Sequence, residues 1–158
     1  MPGNKKFHVA IVHGHSKAWK SIKNYVKEMG YTPRVLKEEL GAEIILERFA
    51  KMIWDDIHCV IVILTGDDVV ANGKWRARQN VIFELGYCIG AFDAIKRNSL
   101  FTREHAIIIL QEEGIELFAD IEGITRIIFK KGKISPIKKE VFKSVQATYL
   151  RAKKYYKL

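Results

Sequence analysis

Apolar residues fall in two alternating rhythms along this chain. Phe7–Val12, Ile57–Leu64, His105–Leu110 and Thr125–Phe129 are short runs rich in β-branched side chains. Such runs predict strands buried on both faces, and Ile57–Leu64 (IHCVIVIL) is the clearest of them. Pro33–Leu36 reads as one more short strand. Between the strands the rhythm lengthens. Lys17–Met29 places Ile22, Tyr25, Val26 and Met29 at helical spacing, and Gly30 ends it. Ala42–Trp54 does the same with Ile45, Phe49, Met52 and Ile53. The stretch from Asn80 toward Ile95 is apolar nearly all round, which predicts a buried central helix. Ile134–Tyr156 predicts a long basic amphipathic helix. Polar connections fill Lys37–Gly41, Thr65–Arg78 and Gln111–Glu122, the last with one short helical turn.

Strands and helices therefore alternate, and that order predicts a parallel sheet with helices on both faces. With right-handed crossovers the expected architecture is α/β: a flavodoxin-like, doubly wound, five-stranded sheet in strand order 2-1-3-4-5. A ligand crevice is expected at the carboxyl ends of strands 1 and 3, where His13–Lys17 and Thr65–Arg78 lie.

Composition narrows the class. The 158 residues suit one core, and 48% hydrophobic with 28% charged residues marks a globular chain. No apolar run has the length of a membrane span, and Met1–Lys6 lacks a signal-peptide core, so no membrane and a cytoplasmic location are expected. Cys59 and Cys88 sit in core-like segments and read as small buried residues. The net charge of +9 is unevenly placed. Met1–Phe129 holds 17 basic and 17 acidic residues, whereas Lys130–Leu158 holds ten Lys or Arg and one acid, Glu140. The expected organisation is a neutral domain over residues 1–133 and a basic helix over residues 134–158 that departs from it. A nucleic-acid binder more often spreads its basic face over the fold.

Glu84 is the candidate of greatest interest. A carboxylate within an apolar helix is costly unless it is paired, hydrogen-bonded or open to a cleft. The preceding loop offers Lys74, Arg76 and Arg78, the aromatic Trp75 and a helix start. Such a set suits a phosphorylated, ring-bearing ligand. Asn80 stands four residues before Glu84 and is expected on the same helix face. An ion pair of Arg76 or Arg78 with Glu84 that merely fixes the loop is the competing explanation. His13 and Gly14 follow strand 1, where Gly14 lets a backbone approach a ligand. His13 and His15 lack a third ligand at suitable spacing, so no metal site is expected. No dinucleotide fingerprint or phosphate-binding loop motif is present, and histidines stand where a phospho-receiver carries its acidic pair. Gly86 and Gly90 are expected to allow close packing of helix on sheet.

Val12–His15, Leu64–Asp68 and above all Arg76-Ala77-Arg78-Gln79-Asn80-Val81-Ile82-Phe83-Glu84-Leu85-Gly86-Tyr87 resemble the bacterial TIR-like domains. These accompany cyclic-nucleotide anti-phage defence systems, including prokaryotic TIR-STING fusions. The resemblance spans Phe7–Phe129. It implies an NAD+ glycohydrolase that cuts NAD+ to nicotinamide and ADP-ribose, with Glu84 as the catalytic residue. NAD+ would be the substrate, and no separate cofactor is implied. His13, Gly14, Arg76, Arg78 and Asn80 would be the substrate-binding residues. TIR–TIR self-association and a cyclic-dinucleotide sensor domain in the full-length protein are the implied partners. One departure stands out. Relatives carry Gly-Arg/Lys-Thr ahead of the second helix, where this chain reads Leu40-Gly41-Ala42-Glu43.

Three other readings remain open at this point. One is a nucleoside deoxyribosyltransferase-like enzyme, which shares the fold and a carboxylate acting at a glycosidic carbon. A second is a non-enzymatic scaffold that signals by oligomerisation. The third, nucleic-acid binding through the basic helix, ranks last.

Overall fold

The computed structural model describes residues 6–35, 46–98, 106–117, 121 and 124–154. The first strand, β1 (His8–His13), leads to helix α1 (Ala18–Glu28) and strand β2 (Thr32–Val35). Helix α2 (Leu46–Asp55) precedes β3 (Cys59–Leu64). A small hairpin, β4 (Asp68–Val69) with β5 (Trp75–Arg76), separates β3 from α3 (Gln79–Arg97). Strands β6 (Ala106–Glu112) and β7 (Thr125–Phe129) follow. A 3-10 turn, Ser135–Ile137, leads into α4 (Lys138–Ala152).

Strands β2-β1-β3-β6-β7 form one sheet in that order, and every pair in it is parallel. This is the expected doubly wound order, with the hairpin standing outside it. Lys37–Gly41 and the expected helix start at Ala42 lie outside the described residues, as do Leu36 and Tyr155–Tyr156 of the expected end segments.

Strand alternation sorts the core. Val9 and Ile11 of β1, Ile61 and Ile63 of β3, and Ile108 and Leu110 of β6 share a buried cluster with Ile22 and Val26 of α1 and Val141 and Val145 of α4. The intervening residues Ala10, Val12, Val60, Val62, Leu64 and Ile109 join Phe49 and Ile53 of α2 and Val81, Leu85 and Cys88 of α3. Successive side chains on a strand point to opposite faces, so a sheet covered on both faces needs unbroken apolar runs. Gly30 closes α1 at φ 76, a left-handed turn that glycine adopts without penalty.

Three expectations change. The last helix does not depart from the body: Val141, Val145 and Ala152 lie in the first cluster, and Tyr149 packs edge-on against Phe7 at 5.4 Å. The α3 helix is not buried all round. Phe83 is 59% exposed, and Gly86, Ile89 and Gly90 share its exposed side. A Cβ added at Gly86 or Gly90 would meet nothing within 4 Å, so neither glycine serves close packing on the sheet.

Candidate functional site

β1 turns toward β2 and β3 toward β6, while α1 and α3 cover opposite faces of the sheet. The loops after β1 and β3 therefore part at the carboxyl end of the sheet, where doubly wound folds form their ligand crevice. His13 is the last residue of β1 and lies opposite Ile63. It is buried, and its ring stacks on Trp19 of α1 with centroids 4.9 Å apart. Its Nδ1 lies 2.8 Å from the Gly14 carbonyl oxygen. A carbonyl only accepts, so Nδ1 carries the proton.

Gly14 is buried beneath Asp67. A Cβ at position 14 would stand 1.7 Å from Asp67 Oδ2. Asp67 accepts hydrogen bonds from the Thr65 hydroxyl at 2.9 Å and from the His15 backbone N–H at 3.4 Å. Its Oδ2 is buried with no hydrogen-bond partner among the described residues. Arg78, the residue that opens α3, reaches back to His15, with Nη1 3.2 Å from Nε2. Arginine only donates, so Nε2 accepts. The two loops and the start of α3 are thus joined through Asp67, His15 and Arg78.

Arg76 sits one step earlier, on the hairpin. Its backbone carbonyl accepts from the Asp67 N–H at 3.0 Å, and its strand bridges to Glu116. The Arg76 side chain is half-buried, and its Nε has no hydrogen-bond partner among the described residues. Trp75 beside it is exposed, with the Lys131 ammonium 5.4 Å from its ring centroid. The hairpin carries both residues above the end of β3.

Glu84 lies five residues into α3, about 7.5 Å along the helix from its start. It is 6% exposed and shares the inward face with Val81, Leu85 and Cys88. Asn80, one turn earlier on nearly the same helix face, is exposed at the start of the helix. Burial pushes the Cys88 thiol up to about 12, and the Glu84 carboxylate one turn away adds to the shift. Among the described residues, no group of three or more His, Cys, Asp or Glu side chains is arranged to hold a metal ion. No helix in them is long and apolar enough to cross a membrane.

Of the residues singled out in the sequence, His13, Gly14 and Arg78 come together at the crevice, and Arg76 stands beside them on the hairpin. Glu84 and Asn80 share the first two turns of α3. Two participants, Asp67 and His15, were not among the expected substrate-binding residues. Asp67 carried a signal in the Thr65-Gly66-Asp67 order after a strand, and His15 in its spacing from His13. Their joint role depends on a contact across 52 residues of chain.

The sheet is doubly wound and parallel, with His13, Gly14, Asp67 and Arg78 gathered at its β1/β3 switch point and the hairpin that carries Arg76 beside them. A model of the family "CAP12/Pycsar effector protein, TIR domain" matches residues 8–131, and the chain belongs to that family of bacterial anti-phage effector domains. The chain is 30% identical over 123 residues to YuaY of Escherichia coli (strain K12), covering 73% of this chain and 38% of YuaY. It is 32% identical over 100 residues to protein tirC of Dictyostelium discoideum, covering 56% of this chain and 49% of tirC. The chain thus spans less than half the length of either relative. Among solved structures, the signal receiver domain of a LuxO repressor protein from Vibrio parahaemolyticus superposes with TM-score 0.50 at 16% identity, covering 94% of this chain and 93% of that one. A receiver domain from Bacillus halodurans gives 0.48 at 16% identity, over 87% and 95%. The first of these speaks to the fold alone.

Proposed function

We propose that this TIR-domain defence effector is an NAD+ glycohydrolase, with Glu84 as its catalytic carboxylate. The observation that supports this most is the burial of Glu84 on the helix that starts at the crevice: a carboxylate 6% exposed among Val81, Leu85 and Cys88. A titratable group held this deep beside a ligand crevice is a natural candidate for chemistry.

The reaction makes a modest demand on the protein. Breaking the bond between ribose C1′ and the nicotinamide nitrogen releases nicotinamide as a neutral molecule, which needs no general acid. Both electrons of the bond leave with nicotinamide, and positive charge develops on the ribose. A buried carboxylate holding the ribose hydroxyls stabilises that oxocarbenium-like state. Water then adds at C1′ and loses a proton to solvent, giving ADP-ribose. In this reading Arg76 and Arg78 face the pyrophosphate, where planar guanidinium groups suit paired phosphate oxygens. His13, Gly14 and Asn80 line the pocket. Self-association of TIR domains activates the enzyme, driven by a cyclic-dinucleotide sensor domain elsewhere in the full-length protein.

The test is nicotinamide release from NAD+ by the purified chain, dilute and then crowded on beads, beside Glu84→Gln. Release that rises with crowding and is lost in a folded Glu84→Gln supports the reading. Equal turnover in both proteins removes Glu84 from the mechanism. No release in either when crowded favours a scaffold that acts by assembly.

A further inference from the structure

The crevice loops meet at one carboxylate. Asp67 follows β3, and its side chain reaches the loop that follows β1. One oxygen accepts from the Thr65 hydroxyl at 2.9 Å and the His15 N–H at 3.4 Å. The other lies against Gly14, where a Cβ would come within 1.7 Å. His15, so placed, offers Nε2 to Arg78 at 3.2 Å. Arg78 opens α3 with extended backbone (φ −58, ψ 140) and makes no side-chain capping bond to the helix. Its side chain reaches the loop after β1 through His15, and Glu84 follows on the helix that Arg78 opens.

We infer that Asp67 is a positioning residue. Its carboxylate pins the loop after β1 to the loop after β3, and through His15 it sets where Arg78 stands at the head of the Glu84 helix. The catalytic consequence rests on the NAD+ glycohydrolase reading, whereas the structural consequence stands without it. Catalytic sites are sensitive to small displacements, and a shift of about 1 Å costs up to about a hundredfold in rate. A lost pin therefore lowers kcat more than it raises KM.

Two variants separate position from charge. Asp67→Asn keeps an oxygen that accepts from Thr65 and His15, while Asp67→Ala keeps none. Both are assayed for nicotinamide release from NAD+ on crowded beads, and the His15 ring resonances are followed by NMR. The expected result is a fall in kcat of about tenfold to a hundredfold for Asp67→Ala, a shifted His15 ring signal, and recovery of most of both in Asp67→Asn. Full turnover with an unmoved His15 signal in Asp67→Ala overturns the inference. So does Asp67→Asn as impaired as Asp67→Ala with His15 unmoved, because the charge would then be acting on substrate directly. Should the wild-type chain release no nicotinamide, the NAD+ reading fails, and the His15 signals alone decide the pin. Should Asp67→Ala not fold, Thr65→Val removes one of the two donors and is read in the same way.

Discussion

Asp67 occupies the space that any side chain at position 14 would need: a Cβ on Gly14 would lie 1.7 Å from its Oδ2 and 2.8 Å from its Cγ. The carboxylate is short and already held by Thr65 and His15, so it has little room to yield. Gly14→Ala is therefore expected to drive Asp67 off both donors. Overpacking of this kind costs about 1–3 kcal/mol. A denaturant midpoint measures that loss, and a midpoint equal to wild type would show that the loop relaxes freely.

The opposite sign is expected on the outer face of α3. Gly86 is exposed within the helix, and an added Cβ would meet nothing within 4 Å. Glycine inside a helix costs about 0.5–1 kcal/mol relative to alanine, chiefly through the freedom of the unfolded chain. Gly86→Ala should raise the melting temperature, and the same holds for Gly90→Ala. A fall in either variant would mean that this face is covered in solution.

The thiols give a pH dependence. Burial pushes Cys59 from its ordinary value of 9.0 up to about 12, and burial with the Glu84 charge does the same to Cys88. Tyr31 rises from 10.0 to about 12, by burial and then by the nearby Tyr149. In each case the folded state keeps its proton while the unfolded chain loses it. Their contribution is therefore complete below about pH 9 and declines as pH rises toward about 12. Denaturant midpoints taken stepwise into the alkaline range should fall, and fall less steeply in Cys88→Ala. Glu84→Gln removes the second cause of the Cys88 shift, so Cys88 should ionise at lower pH in that variant. Rapid labelling of either thiol in the native protein at neutral pH would contradict the burial.

What could be read from the sequence follows from distance along the chain. Thr125–Phe129 matches its strand end to end, and the continuous runs at β1, β3 and β6 fall within two residues of their observed limits, because strand burial leaves a local pattern. The β4–β5 hairpin left none: two-residue strands have no period, and only Asn72-Gly73 marked the turn that Gly73 makes at φ 76. The outward face of α3 was misread for a different reason. Phe83 and Ile89 are as apolar as Leu85 and Val81, and hydropathy alone does not say which of them meets the sheet. Glu84 stood out because one carboxylate among apolar neighbours is a local anomaly. Asp67 did not, because its partner Gly14 lies in the loop after β1 and only the β1–β3 pairing brings the two loops together.

The charge of the last segment suggested an appendage, and its packing shows a structural helix. Val145 is fully buried in the cluster that holds Phe7, Ile61 and Ile127. Tyr149 meets Phe7 and Tyr31, and Tyr31 donates to Gln146 Oε1 at 2.7 Å. Lys138 pairs with Glu28 of α1 at 2.6 Å, though both are substantially exposed and such pairs contribute little. The apolar contacts therefore dominate. Val145→Ala removes two buried methyl groups and should cost about 2 kcal/mol. Val145→Asp places an unpaired charge in the core and should leave the chain largely unfolded. Deleting residues 134–158 would uncover the α1 side of the sheet and should give a protein that binds hydrophobic dyes and lacks a cooperative melt. A shortened chain that melts cooperatively at the wild-type temperature would restore the helix to the role of an appendage.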